Sequence, residues 1–221
     1  KKPMKVLGYG NVKGVDMHRF SLRPEVLQKA APLKNKDVFT FIFVGRIVGD
    51  KGINELVEAY LRLLKEHSNL RLFLVGNYEM KLDPVSPQTM QCISDTKEIS
   101  AVGPKYADDL LAYYAASDCF VFPSYREGFP NTVMEAGAMG LPSIVTDING
   151  SREIIVENKN GKIIPSKDVD ALYRSMKFMV ENEDDRRRMA GNARQMIASR
   201  FDQTFVRKCL MDFYNQISAE D

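Results

Sequence analysis

The chain holds 221 residues, with 31 lysines and arginines against 29 aspartates and glutamates, a formal charge of +2. It is 44% hydrophobic and 27% charged, the balance of an ordinary globular domain, which excludes disorder, collagen and coiled coil. No run approaches the roughly 20 apolar residues of a membrane span, and so small a charge predicts neither a nucleic-acid nor a membrane footprint.

The chain starts at Lys1, and its first residues are too short and polar for a signal peptide. A segment of a longer cytosolic polypeptide is expected. The three cysteines, Cys92, Cys119 and Cys209, are odd in number and scattered. They read as free thiols in a reducing compartment. Gly8-Tyr-Gly10-Asn-Val-Lys-Gly14 misses the dinucleotide fingerprint by one residue, and no helical pattern follows it.

Six apolar runs then predict strands: Phe39 to Val44, Leu70 to Val75, Ile99 to Val102, Cys119 to Phe122, Ser143 to Thr146 and Lys162 to Ile164. Such near-continuous apolar runs suit parallel strands covered on both faces. Helical spacing falls between and after them. It predicts helices over Asn54 to Glu66, Ala107 to Ser117 and Thr132 to Met139, the last stopped by Gly140. Further helices are predicted over Ser151 to Glu157, Val169 to Asn182, Asp184 to Arg200 and Gln203 to Ser218. Glu181-Asn-Glu-Asp-Asp-Arg-Arg-Arg188 reads as a solvated helix start, acids first and bases after. The alternation predicts an α/β fold: a Rossmann-like, doubly wound parallel sheet of about six strands with helices on both faces.

Metalloprotease, cysteine–histidine metal and nucleophile-elbow motifs are absent, and the chain has only two histidines, His18 and His67. Gly45-Arg-Ile-Val-Gly49-Asp-Lys51-Gly52 lacks the ending of a P-loop. In a doubly wound sheet, ligands bind at the carboxyl ends of the strands, where three segments converge. The first brings Arg46 and Lys51 on a glycine-rich loop. Arginine can fork two phosphate oxygens and lysine acts as a point charge, though from spacing alone two ordinary surface bases on a solvated turn are the favoured reading. The second runs from Pro123 to Glu135, and its Pro130-Asn131 pair suits a helix start. The free amides there make an anion site, flanked by Glu127 and Glu135. One carboxylate could hold a ribose diol and the other a hexose; a local cap and a dipole partner are the alternatives. The third, Val102-Gly103-Pro104-Lys105, offers a small flat backbone for a base, or is a plain turn.

These residues resemble the nucleotide-sugar-binding half of a family-4 retaining glycosyltransferase with the two-Rossmann GT-B fold. Lys13-Gly-Val-Asp-Met-His-Arg-Phe20 is similar to the family's "NGVD…F" stretch, with Lys13 for the usual Asn. Gly45-Arg46 through Asp50-Lys51-Gly52 resembles its "GR…KG" phosphate loop. Glu127-Gly-Phe-Pro-Asn-Thr-Val-Met-Glu135 fits its E-x7-E motif. Ala136 to Thr146, then Gly150 to Glu153, matches the continuation, with Gly137 for a commoner Met. The resemblance covers residue 6 to the end.

The resemblance implies that Arg46 and Lys51 neutralise the leaving diphosphate and that Glu127 binds the transferred sugar, a catalytic set of Arg46, Lys51 and Glu127. Donor binding would use these with Gly45, Val102, Pro104, Lys105, Gly128, Phe129, Pro130, Asn131, Thr132 and Glu135, the last on the ribose. No metal and no cofactor are implied. The substrate would be a nucleoside-diphosphate sugar, UDP ranking ahead of GDP and ADP. The implied reaction moves a hexose to a glycan or lipid-linked acceptor, in capsular or envelope polysaccharide synthesis. The acceptor would be held by an N-terminal half that this chain lacks, so the piece alone is expected to be inactive. The expected division is 1–20 as linker, 21–200 as donor domain and 201–221 as a helix directed toward that other half. The expected location is cytoplasmic, with a peripheral seat at the inner membrane open to the full-length protein. A sucrose- or trehalose-type synthase half and a non-catalytic nucleotide-binding module are the competing readings.

Overall fold

The computed structural model describes residues 5–220. Six strands form one sheet: β1 (Phe39–Val44), β2 (Leu70–Val75), β3 (Ile99–Gly103), β4 (Cys119–Phe122), β5 (Ser143–Thr146) and β6 (Gly161–Ile164). Their order is β3-β2-β1-β4-β5-β6, and every pairing is parallel. The doubly wound Rossmann-like sheet expected from the sequence is what forms. Aromatic and β-branched residues fill the middle strands, and β1 and β4 are almost wholly buried. Phe43, Phe122 and Phe120 stack across these neighbours, with successive ring centroids 5.8 Å apart.

The helices are α1 (Pro24–Ala30), α2 (Ile53–Leu64), α3 (Pro87–Asp95), α4 (Ala107–Ala115), α5 (Asn131–Ala138), α6 (Ser151–Ile154), α7 (Val169–Glu181), α8 (Glu183–Phe201) and α9 (Gln203–Glu220). They cover the sheet in packed pairs, α2 with α7, α1 with α4 and α5 with α8. α5 ends where expected, with Gly140 in the left-handed region at φ +86°.

Two helices were not foreseen, α1 and α3, and both begin with proline in the first turn. Ser86 caps α3 by accepting the Thr89 N–H at 3.0 Å. α6 is shorter than expected, because Ile155 turns extended and is buried in the core. The acidic start of α8 is solvated as expected, and Arg187 pairs with Glu183 at 2.6 Å. Arg186 departs from that pattern. Its guanidinium lies 4.9 Å over the Phe39 ring and donates to the Met179 carbonyl at 2.6 Å.

The leading segment and the end of α8 are tied together. Val15 N–H donates to the Phe201 carbonyl at 2.8 Å, and Gln203 N–H donates back to the Val15 carbonyl at 2.9 Å. Arg194 on α8 donates to the carbonyls of Phe20 at 2.6 Å and Met17 at 2.7 Å. These bonds bring residues 13–20 against the C-terminal edge of the sheet.

Candidate functional site

The chain winds outward from β1 through β2 to β3, then restarts beside β1 with β4. The loops after β1 and β4 therefore leave the sheet as neighbours, with a crevice between them. The first loop ends in a single 3-10 turn, Gly49–Lys51. Asp83, from the segment after β2, fixes that turn, its carbonyl accepting from Gly49 N–H at 2.8 Å and its carboxylate from Asp50 N–H at 2.5 Å. The second loop joins the first through the Tyr125 N–H, which donates to the Asp50 carbonyl at 2.8 Å.

The two loops bring Lys51 and Glu127 together. Lys51 Nζ lies 2.5 Å from Glu127 Oε1, and only 13% and 17% of these side chains are exposed. Buried Ser124 also donates to Glu127 Oε1, at 3.0 Å. Glu127 is thus no local cap. Arg46 is exposed and, among the described residues, has no ion-pair partner. Arg126 reaches Asp50 at 3.3 Å instead.

Gly45 is half-buried at the start of the first loop and Gly128 is exposed in the second. Phe129 turns its ring onto Phe201, edge to face at 5.5 Å. Pro130 is the N-cap of α5 and Asn131 its first helical residue, one position later than a capping Asn131 would require. No side chain caps this end, so its first amides remain free for an anion. Thr132 is half-buried in the same turn.

Glu135 lies one turn into α5 and faces a separate cavity of about 400 Å³, which Lys13, Asp16, Arg19, Lys105 and Asn131 also line. Burial pushes the Glu135 carboxyl above the ordinary glutamate value, while the charges of Lys13 and Arg19 and the Tyr114 hydroxyl pull it back. Lys105 borders this cavity, with its ammonium 5.8 Å over the Tyr113 ring. Half-buried Val102 and exposed Pro104 precede it at the end of β3 and do not line the cavity. Lys13, Arg19 and Ser124 were not singled out as site residues from the sequence. Asn11 holds the turn that presents Lys13, its buried side-chain oxygen accepting the Lys13 N–H at 2.9 Å.

Two features therefore stand at this edge of the sheet. One is the Lys51–Glu127 pair with the uncapped N-terminus of α5, whose free amides suit an anion. The other offers a half-buried carboxylate able to accept two neighbouring hydroxyls.

The family model for glycosyl transferases group 1 matches residues 26–196, most of the chain. The chain belongs to this family.

A capsular polysaccharide biosynthesis glycosyltransferase of Staphylococcus aureus, CapM, is 28% identical over 215 residues, 97% of this chain and 56% of that protein. Sucrose-phosphate synthase of Thermosynechococcus elongatus superposes with a TM-score of 0.82 at 23% identity, over 95% of this chain and 52% of that one. The Anabaena protein HepE, solved in complex with UDP and glucose, superposes at 0.80 with 19% identity, over 91% of this chain and 55% of that one. The chain thus spans about half the length of the relatives it matches. Among the described residues no helix is long and apolar enough to cross a membrane.

Proposed function

We propose that this chain is the donor-binding, C-terminal half of a family-4 retaining GT-B glycosyltransferase. The observation that carries the reading is the meeting of the β1 and β4 loops at Lys51 and Glu127, beside the cavity lined by Glu135. In this reading the diphosphate of a nucleotide sugar lies across Arg46, Lys51 and the amides of Gly128, Phe129, Asn131 and Thr132, with Gly45 leaving room for it. Charge develops on the leaving phosphate as the sugar departs. It then meets cations and a helix N-terminus already in position, the arrangement that lowers such barriers most. Glu127 takes the hydroxyls of a hexose. Glu135 takes the ribose diol, and Val102, Pro104 and Lys105 border the base.

The nucleotide is UDP ahead of GDP or ADP, a reading supported by the UDP bound in HepE. The acceptor is a glycan or a lipid-linked saccharide in capsular or envelope polysaccharide synthesis, a reading supported by the likeness to CapM. It is held by a second domain facing this one, with the apolar side of α9 turned toward it. Without that domain the crevice stays open to water, so the chain binds donor and transfers little sugar. The working location is the cytoplasm.

A thermal-shift panel of UDP, GDP and ADP with their sugars tests the reading. A true ligand at 100 times its dissociation constant adds about 2.7 kcal/mol to stability. One nucleotide class should raise the melting temperature, and Arg46→Ala should shrink the rise. A flat response across the panel overturns the proposal.

A further inference from the structure

Glu127 and Lys51 bind each other before any ligand arrives, and that contact gives Glu127 a part in choosing among ligands. That part presupposes the donor site proposed above. An ion pair this withdrawn from water holds more firmly than an exposed one, and opening it strands a charge. Lys51 cannot serve Glu127 and a diphosphate at full strength together. An arriving diphosphate therefore draws the ammonium away from the carboxylate.

What Glu127 meets next depends on the ligand. A sugar-bearing donor brings hydroxyls that donate to the freed carboxylate and replace the lost ammonium. A bare diphosphate brings none. Its terminal phosphate also carries an extra negative charge, because a phosphate with a free end ionises a second time near pH ~6. Glu127 stays beside that charge, since the buried Ser124 hydroxyl donates to it at 3.0 Å. We propose that Glu127, by competing for Lys51, makes this site select the sugar-bearing donor over the spent diphosphate. When the sugar has been transferred, Lys51 returns to Glu127 and the diphosphate is expelled.

A glutamate that merely touched the sugar would leave the affinity for bare diphosphate unchanged, and this difference is the test. Calorimetry with UDP against UDP-glucose, and GDP against GDP-mannose, compares the unmutated chain with Glu127→Gln. The variant should bind the bare diphosphate about three- to tenfold more tightly, the order expected for removing one partly screened like charge. It should bind the sugar-bearing partner more weakly. Unchanged or weaker binding of the bare diphosphate by Glu127→Gln overturns the proposal. Should the variant not fold, NMR of 15N-labelled lysine in the unmutated chain reads the same exchange. Titrated pyrophosphate should move the Lys51 ammonium resonance, and a resonance that stays in place as pyrophosphate binds overturns the proposal. An unmutated chain that binds none of the four nucleotides overturns the donor-site reading, and this inference with it.

Discussion

Gly52 passes so close beneath Pro123 that a Cβ built on it would lie 2.1 Å from the Pro123 carbonyl oxygen. Its φ of +71° is also one that side-chain-bearing residues rarely adopt. The loops after β1 and β4 can meet only because this residue has no side chain. Gly52→Ala should cost about 2–4 kcal/mol, left-handed strain added to a backbone clash. It should also part Lys51 from Glu127 and weaken diphosphate binding. Gly128→Ala is the control, since nothing lies within 4 Å of its added Cβ. Its urea midpoint should match that of the unmutated chain.

Arg46 and Lys51 should separate under mutation although both are proposed to hold the diphosphate. Removing either should weaken nucleoside diphosphate by about 1.5–3 kcal/mol, the range for charged hydrogen bonds. Arg46 is exposed, so Arg46→Ala should leave stability within about 0.5 kcal/mol. Lys51→Ala leaves Glu127 without its partner and should cost about 1–3 kcal/mol. Calorimetry and chemical unfolding on the same two variants check both halves of this expectation. Equal stability losses would remove the ion pair from the account.

Glu135 should oppose stability while serving binding. Burial raises its carboxyl pKa in the folded chain above the unfolded value. Its contribution is therefore fullest below the unfolded pKa and is lost as pH rises through the raised one. Glu135→Gln should melt higher than the unmutated chain at pH 7, and the gap should close in acid. The same change should weaken nucleoside diphosphate and leave pyrophosphate alone, because the amide accepts one ribose hydroxyl poorly. In the unmutated chain, nucleotide affinity should fall on acidification before an ordinary glutamate would protonate. A calorimetric pH series reads that midpoint.

Gly137 on α5 faces Ile197 on α8 with no room for a side chain. A Cβ at Gly137 would come 2.7 Å from Ile197 Cγ1. Alanine is the better helix former by about 1 kcal/mol, but overpacking costs roughly 1–3 kcal/mol. Gly137→Ala should therefore destabilise, and Ile197→Ala in the same chain should restore part of the loss. A double-mutant cycle in urea measures the coupling. Simple additivity would mean that the two helices part freely.

The strands were legible because each is a dense apolar run, five of them closed by glycine or proline, and five of the six begin where the runs begin. α1 and α3 escaped because each is short and buries few residues, although Pro24, Pro87 and Ser86 mark their starts. The pairing of Lys51 with Glu127 spans 76 residues and exists only because β4 lies directly beside β1. Neither loop carries that adjacency in its own residues. Lys13 and Arg19 were overlooked as site residues for a similar reason. They belong to the leading segment, and bonds from Arg194 and the end of α8 draw it to the cavity.

Those bonds also join the two outermost parts of the fold. Val15 pairs with Asp202. Beyond that pairing the leading segment and α9 run on as packed neighbours, Tyr9 lying 6.3 Å from Phe205, so a change in either segment is felt by the other.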